Sequence, residues 1–163
     1  MRMEKKLLDL FARLSRDSER NKVYAMRAKK DGHPELSLLF MTLAASRAMQ
    51  AQRFLMQARG AVAPTDENEQ SAYGEEIPAS IEKYRQLLAE AEEDGTKALA
   101  TGFRHSTTVE QRNLELHDTF GERPQDTQYH VCDFCGYIAA NGPPDNCPVC
   151  TAPKIRFKRV EAV

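Results

Sequence analysis

Cys132-Asp133-Phe134-Cys135-Gly136-Tyr137 and Cys147-Pro148-Val149-Cys150-Thr151-Ala152-Pro153-Lys154 hold every cysteine of the 163-residue chain. Eleven residues separate the two Cys-x-x-Cys pairs. Each pair makes a tight turn that aims two sulfurs at one centre. Together they offer four thiolates in a tetrahedron, a donor set that suits iron or zinc. Two disulfides would use the same residues and would suit a secreted protein. However, the residues after Met1 form no apolar signal, and no run is long enough to span a membrane. The expectation is a cytoplasmic protein with one metal ion per chain, held by Cys132, Cys135, Cys147 and Cys150. Zinc would make the site a non-redox staple, and iron would make it an electron carrier. Thiolate donors alone do not separate the two.

A region this short holds too little core to fold without its metal. The remainder is rich in Leu, Met, Ala and Phe and has no Trp, a composition that favours helices. A first helix is expected from Met3 to Lys30, with Leu7, Leu10, Phe11, Leu14, Val23 and Ala28 among its apolar positions, and Asp31-Gly32 as its stop. Pro34 opens a second, whose seam runs Leu36, Phe40, Leu43, Arg47, Gln50, Phe54 and closes at Gly60. A third, from Ile77, carries Ile81, Tyr84, Leu88 and Ala91 and stops at Asp94-Gly95. A fourth runs from Thr96 to about Phe120 with Leu99, Phe103, Val109 and Leu116, and residues 121–127 form a hinge.

The stops Lys29-Lys30-Asp31-Gly32 and Glu92-Glu93-Asp94-Gly95 lie sixty-three residues apart, so the chain reads as two repeated helical hairpins. Between them, residues 61–75 are polar and small. A 25-residue helix is about 37 Å long and fifteen extended residues reach about 50 Å, so this linker can cross a whole bundle. One long crossover marks ferritin-like folds, whereas an up-and-down bundle needs only a short turn. The expected layout is mainly α: a ferritin-like four-helix bundle over residues 1–126, then a small metal-binding β/loop domain over 127–163.

Charge is uneven along the chain. Residues 1–60 carry thirteen Lys and Arg against six Asp and Glu, and residues 61–130 carry six against fifteen. The basic residues are scattered over amphipathic helices without interleaved aromatics, so nucleic acid is not the expected partner. Helical pairs of opposite sign attracting one another is the simpler reading. No phosphate-binding Gly-rich loop and no Ser/His/Asp arrangement is present.

The pattern CxxCGY followed by CPxC-x-A-P-K-x-x-F resembles the rubredoxin domain of the rubrerythrin family, and the preceding helices and crossover fit that family over nearly the full chain. The resemblance implies a homodimer, with one subunit's rubredoxin set against the other's bundle, and a redox partner protein. It also implies a di-iron site inside the bundle that reduces hydrogen peroxide with electrons from the rubredoxin iron. Here the sequence departs. The Glu-x-x-His positions fall at Arg47 and Gln50 on the second helix and at Glu110 and Asn113 on the fourth. The third helix offers Glu76 but has Ala79, and Arg13-Leu14-Ser15-Arg16 contains no acid. None of His33, His105, His117 and His130 lies three residues after an acid. The expectation is therefore an electron-transfer or redox-responsive protein with an iron tetrathiolate and no di-iron centre. The alternatives are a zinc-stapled scaffold and a di-iron peroxidase whose ligands lie elsewhere, with Glu76 and Glu110 as candidates. Arg47 is expected to form an internal ion pair with Glu110 or Glu76. Phe134, Tyr137, Val149 and Phe157 are expected to shield the metal.

Overall fold

The computed structural model describes residues 2–161. It divides into two compact units between Thr65 and Asp66.

The first unit is a helical hairpin of α1 (Arg2–Lys30) and α2 (Pro34–Gln57). Gly32 takes φ +82°, which lets the His33 N–H reach the Ala28 carbonyl (2.8 Å) and the Gly32 N–H reach Lys29 (3.2 Å). This paired closure satisfies carbonyls that a helix end leaves unbonded. The buried seam is made of small residues: Ser18, Asn21, Ala25 and Ala28 on α1, and Ala44 and Ala51 on α2, with Ala58 just beyond it. Their spacing is sevenfold (18/25, 21/28, 44/51/58), the repeat that keeps one face toward a partner helix. Hydroxyls cross the seam, with Ser18 Oγ donating to the Ala44 carbonyl and Ser37 Oγ to the Ala25 carbonyl, each at 2.8 Å.

The large residues expected to form this seam do not. Leu36 and Leu43 are exposed, while Phe40 and Phe54 are half-buried. Small side chains let the two backbones approach closely, and that moves the larger ones to the flanks. Arg47 is half-buried and makes no ion pair within this hairpin.

In the second unit, helical backbone begins well before Ile77. A short α3 (Thr65–Glu69) opens with Asp66 and Glu67 in its first turn, where acids favour the helix N-terminus. A π-helical turn (Gln70–Glu76) follows and runs into α4 (Ile77–Glu93). Pro78 has no N–H to give the Gly74 carbonyl, and widening the helix ahead of it absorbs that mismatch. The segment is tied to α5 (Lys97–Asp118) by His117, whose Nε2 lies 2.7 Å from Glu69 Oε1 and whose ring stacks on Tyr73 at 4.1 Å. Ile81, Ala91, Ala100, Val109 and Leu116 are the buried apolar positions of α4 and α5. Gly95 (φ +70°) closes α4 as Gly32 closes α1, with Thr96 N–H to Ala91 at 2.9 Å and Gly95 N–H to Glu92 at 3.2 Å. The repeat read from the two stops is thus the same hydrogen-bonded device made twice.

After a 3-10 turn at Phe120–Glu122, the chain forms a three-stranded antiparallel sheet of β1 (Tyr129–Cys132), β2 (Ile138–Ala140) and β3 (Phe157–Arg159) in the order β2-β1-β3. Among the described residues, no helix is long and apolar enough to cross a membrane.

Candidate metal centre

The two cysteine pairs fold as near copies of one knuckle. In the first, the Gly136 N–H returns to the Cys132 carbonyl (2.9 Å) and the Cys132 N–H donates to Tyr137 (2.9 Å). In the second, the Thr151 N–H returns to Cys147 (2.9 Å) and the Cys147 N–H donates to Ala152 (2.8 Å). These bonds close each turn so that both of its sulfurs point inward. β1 supplies Cys132, and the pairing of Cys132 with Phe157 brings β3 beneath it.

All four Sγ atoms lie within 4.8 Å of one another. Cys132 and Cys150 are 3.7 Å apart, and Cys135 and Cys147 are 3.5 Å apart. A disulfide needs about 2.05 Å. A tetrahedron with metal–sulfur bonds of about 2.3 Å has edges of about 3.8 Å, so the spacing fits a bound metal. Cys132 and Cys147 are buried, and Cys135 and Cys150 reach partway to solvent.

Electrostatics distinguish the four thiols. For Cys132, burial acts upward, but the backbone N–H groups of Cys135 and Phe134 and the Cys150 and Cys135 thiols outweigh it and hold the thiol below its ordinary range. Burial pushes Cys135 well above that range, with Cys150, Cys147 and Cys132 adding to the rise and the Tyr137 backbone opposing it. Cys150 is raised for the same first reason, against the N–H of Ala152. A cation at the centre would stabilise all four as thiolates, which is how such a site is filled. The N–H groups that serve the sulfurs are those that tune a tetrathiolate metal.

Of the expected shield, Phe157 is buried, and Tyr137 and Val149 pack against the cysteine cluster. Phe134 does not: it is 68% exposed. The turn that directs its N–H toward the Cys132 sulfur sends its side chain out. Sequence reading also missed how α5 meets the module. Val109 Cγ1 lies 3.7 Å from the point where a side chain on Gly136 would begin. The Arg112 guanidinium sits over the Tyr137 ring at 5.9 Å, with its Nε 3.5 Å from the Ile138 carbonyl. These residues are far apart in sequence, and no local spacing announces the contact.

Glu110 accepts a 2.9 Å bond from Asn113 Nδ2. Among the described residues, Asn113 Oδ1 and His130 Nδ1 are buried without a hydrogen-bond partner. His105 is half-buried on α5 and His33 is exposed before α2.

The family profile of the rubrerythrin, rubredoxin-like domain matches residues 130–158. A rubrerythrin of Porphyromonas gingivalis is 30% identical over 95% of this chain and 88% of its own length. A nigerythrin of Nitratidesulfovibrio vulgaris is 25% identical over 82% of this chain and 74% of its own. The solved structure of nigerythrin in its fully reduced, all-ferrous state shares the fold, with a TM-score of 0.50 and 22% identity over 96% of this chain and 86% of that one. The mainly helical architecture with a small four-cysteine strand domain is thus the fold of a known structure.

Proposed function

The chain belongs to the rubrerythrin family, and from that premise we propose that it is an electron-transfer or redox-responsive protein built on one iron at four thiolates. The observation that carries the reading is the convergence of Cys132, Cys135, Cys147 and Cys150, each sulfur within 4.8 Å of the others. Iron held there exchanges one electron between its ferrous and ferric states. The chain's own residues do the rest. Tyr137, Val149 and Phe157 exclude water from the sulfurs, and the N–H groups of Phe134, Cys135, Tyr137 and Ala152 offset thiolate charge.

The helices serve as scaffold in this reading and hold no second metal site. Support comes from Arg47, Gln50 and Asn113 at positions where the family resemblance implies metal ligands, and from the absence of an acid in residues 13–16. A fixed guanidinium repels a cation, and amides offer it no charge. The protein acts as a homodimer with a redox partner protein, in a reducing cytoplasmic setting that keeps the thiols free. Residue 127 marks the division between helical scaffold and metal module.

Metal content and the visible spectrum after iron-replete expression test this reading. About one iron per chain and a red colour that dithionite bleaches are expected. A colourless protein holding one zinc would overturn the electron-transfer role. About three irons per chain would overturn the loss of the second site.

A further inference from the structure

The second helix is apolar on more than the face it turns to α1. Of the 24 residues of α2, only Glu35, Arg47 and Arg53 are charged. Ala44 and Ala51 fill the seam with α1. Leu38, Ala45, Met49 and Met56 lie on another face, and their spacing is that of a heptad stripe. At 3.6 residues per turn they fall within about 40° of one another and about 130° from the seam. Leu38 is 69% exposed, Met49 63% and Met56 71%. Ala45 is exposed as well. Thr42 continues the line, and its hydroxyl is already spent on the Leu38 carbonyl at 3.0 Å. A helix that is apolar on opposing faces is built to be covered on both, and a continuous apolar surface of this kind marks an interaction site.

One flank of the stripe carries Glu35 and Arg53. Eighteen residues make five full turns, so the two lie on the same side of the helix. Neither has an ion-pair partner among the described residues. The Arg53 guanidinium rests only over the Phe54 ring, 5.3 Å from its centroid. An acid and a base at the two ends of an uncharged stripe complement the same stripe run in reverse.

We propose that α2 pairs antiparallel with α2 of a second copy through Leu38, Ala45, Met49 and Met56, with each Glu35 set against the second copy's Arg53. A twofold axis beside Ala45 brings the helices closest where the side chain is smallest. It also sets Thr42 against the second copy's Met49 and Leu38 against its Gln52. The heptad spacing keeps the stripes facing each other over five turns, about 27 Å. A parallel pair would leave Glu35 and Arg53 at opposite ends of the stripe with no mutual contact, so the charges select the antiparallel sense. The inference rests on the homodimer proposed above and supplies its surface.

Sedimentation equilibrium of the full-length, metal-loaded protein reads the dimer dissociation constant. Ala45→Glu puts two like charges at the axis and should raise that constant about a hundredfold or more. Arg53→Glu sets two acids against each other and should raise it about tenfold. The exchange Glu35→Arg/Arg53→Glu restores opposite charges and should return it to within about threefold of the parent. Lys83→Glu, at an exposed position of α4, should leave it unchanged. Visible spectrum and helicity should match the parent in all four variants. A dimer that tolerates Ala45→Glu, or an exchange variant no tighter than Arg53→Glu, would overturn the pairing through α2 while the homodimer itself stands. So would an Ala45→Glu protein that stays dimeric but unfolds at lower urea, since the chain's own helices would then cover the stripe. A parent that sediments as a monomer would overturn the homodimer and its surface together.

Discussion

Gly136 and Thr151 occupy equivalent positions, each directly after the second cysteine of its knuckle, and both are left-handed, with φ of 86° and 62°. Each N–H returns to the carbonyl of its pair's first cysteine, so the geometry is required by the site. Glycine adopts it without strain; threonine, β-branched, does not. Thr151→Gly should therefore stabilise the metal-bound module. Relief of about 1–2 kcal/mol of left-handed strain, less the added freedom of the unfolded chain, leaves a net gain of about 0.5–1 kcal/mol. Gly136→Ala should do the reverse by about 1–2 kcal/mol. The rate of metal loss to a chelator, with circular dichroism as control, reads both.

Removing a ligand should separate the two parts of the chain. Cys147→Ser leaves three thiolates and should unfold the strand module, because a module of this size depends on its metal. The helices keep their own seams, including Ala25, Ala44 and Ala51 in the first hairpin and Val109 and Leu116 on α5. Far-ultraviolet circular dichroism should stay within about a tenth of the parent value while metal content falls. A collapse of helicity together with the metal would show that helices and module fold as one unit.

Metal affinity should rise steeply with pH. Binding requires thiolates and expels thiol protons. Burial raises Cys135 and Cys150 above the ordinary thiol value of 9.0, so both hold protons through the neutral range in the metal-free chain. Each proton released adds a factor of about ten per pH unit, so affinity should climb at least about a hundredfold per unit near neutrality. Competition with a colorimetric chelator at several pH values measures the trend, and a slope of one proton or fewer would contradict it.

The convergence of the four cysteines was legible in the sequence because its signal is local. Two Cys-x-x-Cys turns with Gly136 and Pro148 set the direction of each sulfur within a few residues, whereas the exposed Phe134 was not foreseen. The helix stops at Gly32 and Gly95 were legible for the same reason, since a left-handed glycine after a charged run is a chemical requirement. Three features were not. The π-helical turn ahead of Pro78 arises from a widened backbone that composition does not reveal. The Glu69–His117 and Arg112–Tyr137 contacts join distant segments. The small-residue seam was hidden because Leu and Phe dominate a hydrophobic count, whereas closeness of approach favours Ala and Ser.

Arg112 is the side chain on α5 best placed to steady the module. Its guanidinium lies over Tyr137, the residue whose carbonyl receives the Cys132 N–H. Arg112→Ala removes a stacking contact worth about 1 kcal/mol. Proteolysis within residues 119–127 should quicken while metal content and helicity hold. Arg112→Lys should restore little, because an ammonium does not stack as a planar guanidinium does. Equal proteolysis in all three proteins would show that the docking of the module does not depend on this residue.

The α1–α2 seam makes the sharpest stability prediction. Ala44 is 1% exposed, and its carbonyl lies 2.8 Å from Ser18 Oγ on the facing helix. A hydroxyl this short reaches the opposite backbone only if the two helices are close, so Ala44 has no room to grow. Ala44→Leu forces the helices apart, which costs about 1–3 kcal/mol in overpacking and also breaks the Ser18 bond. Ser18→Ala, by contrast, keeps the approach and loses one hydrogen bond, about 0.5–1.5 kcal/mol. Leu43→Ala, one residue away but on an exposed flank, removes more carbon atoms than either and should cost less than Ala44→Leu if the small-residue seam governs this hairpin. Urea unfolding of the three variants orders them directly. If Leu43→Ala proved the most damaging, the stability of α1 and α2 would rest on the large residues after all, and the sevenfold alanine spacing would be incidental.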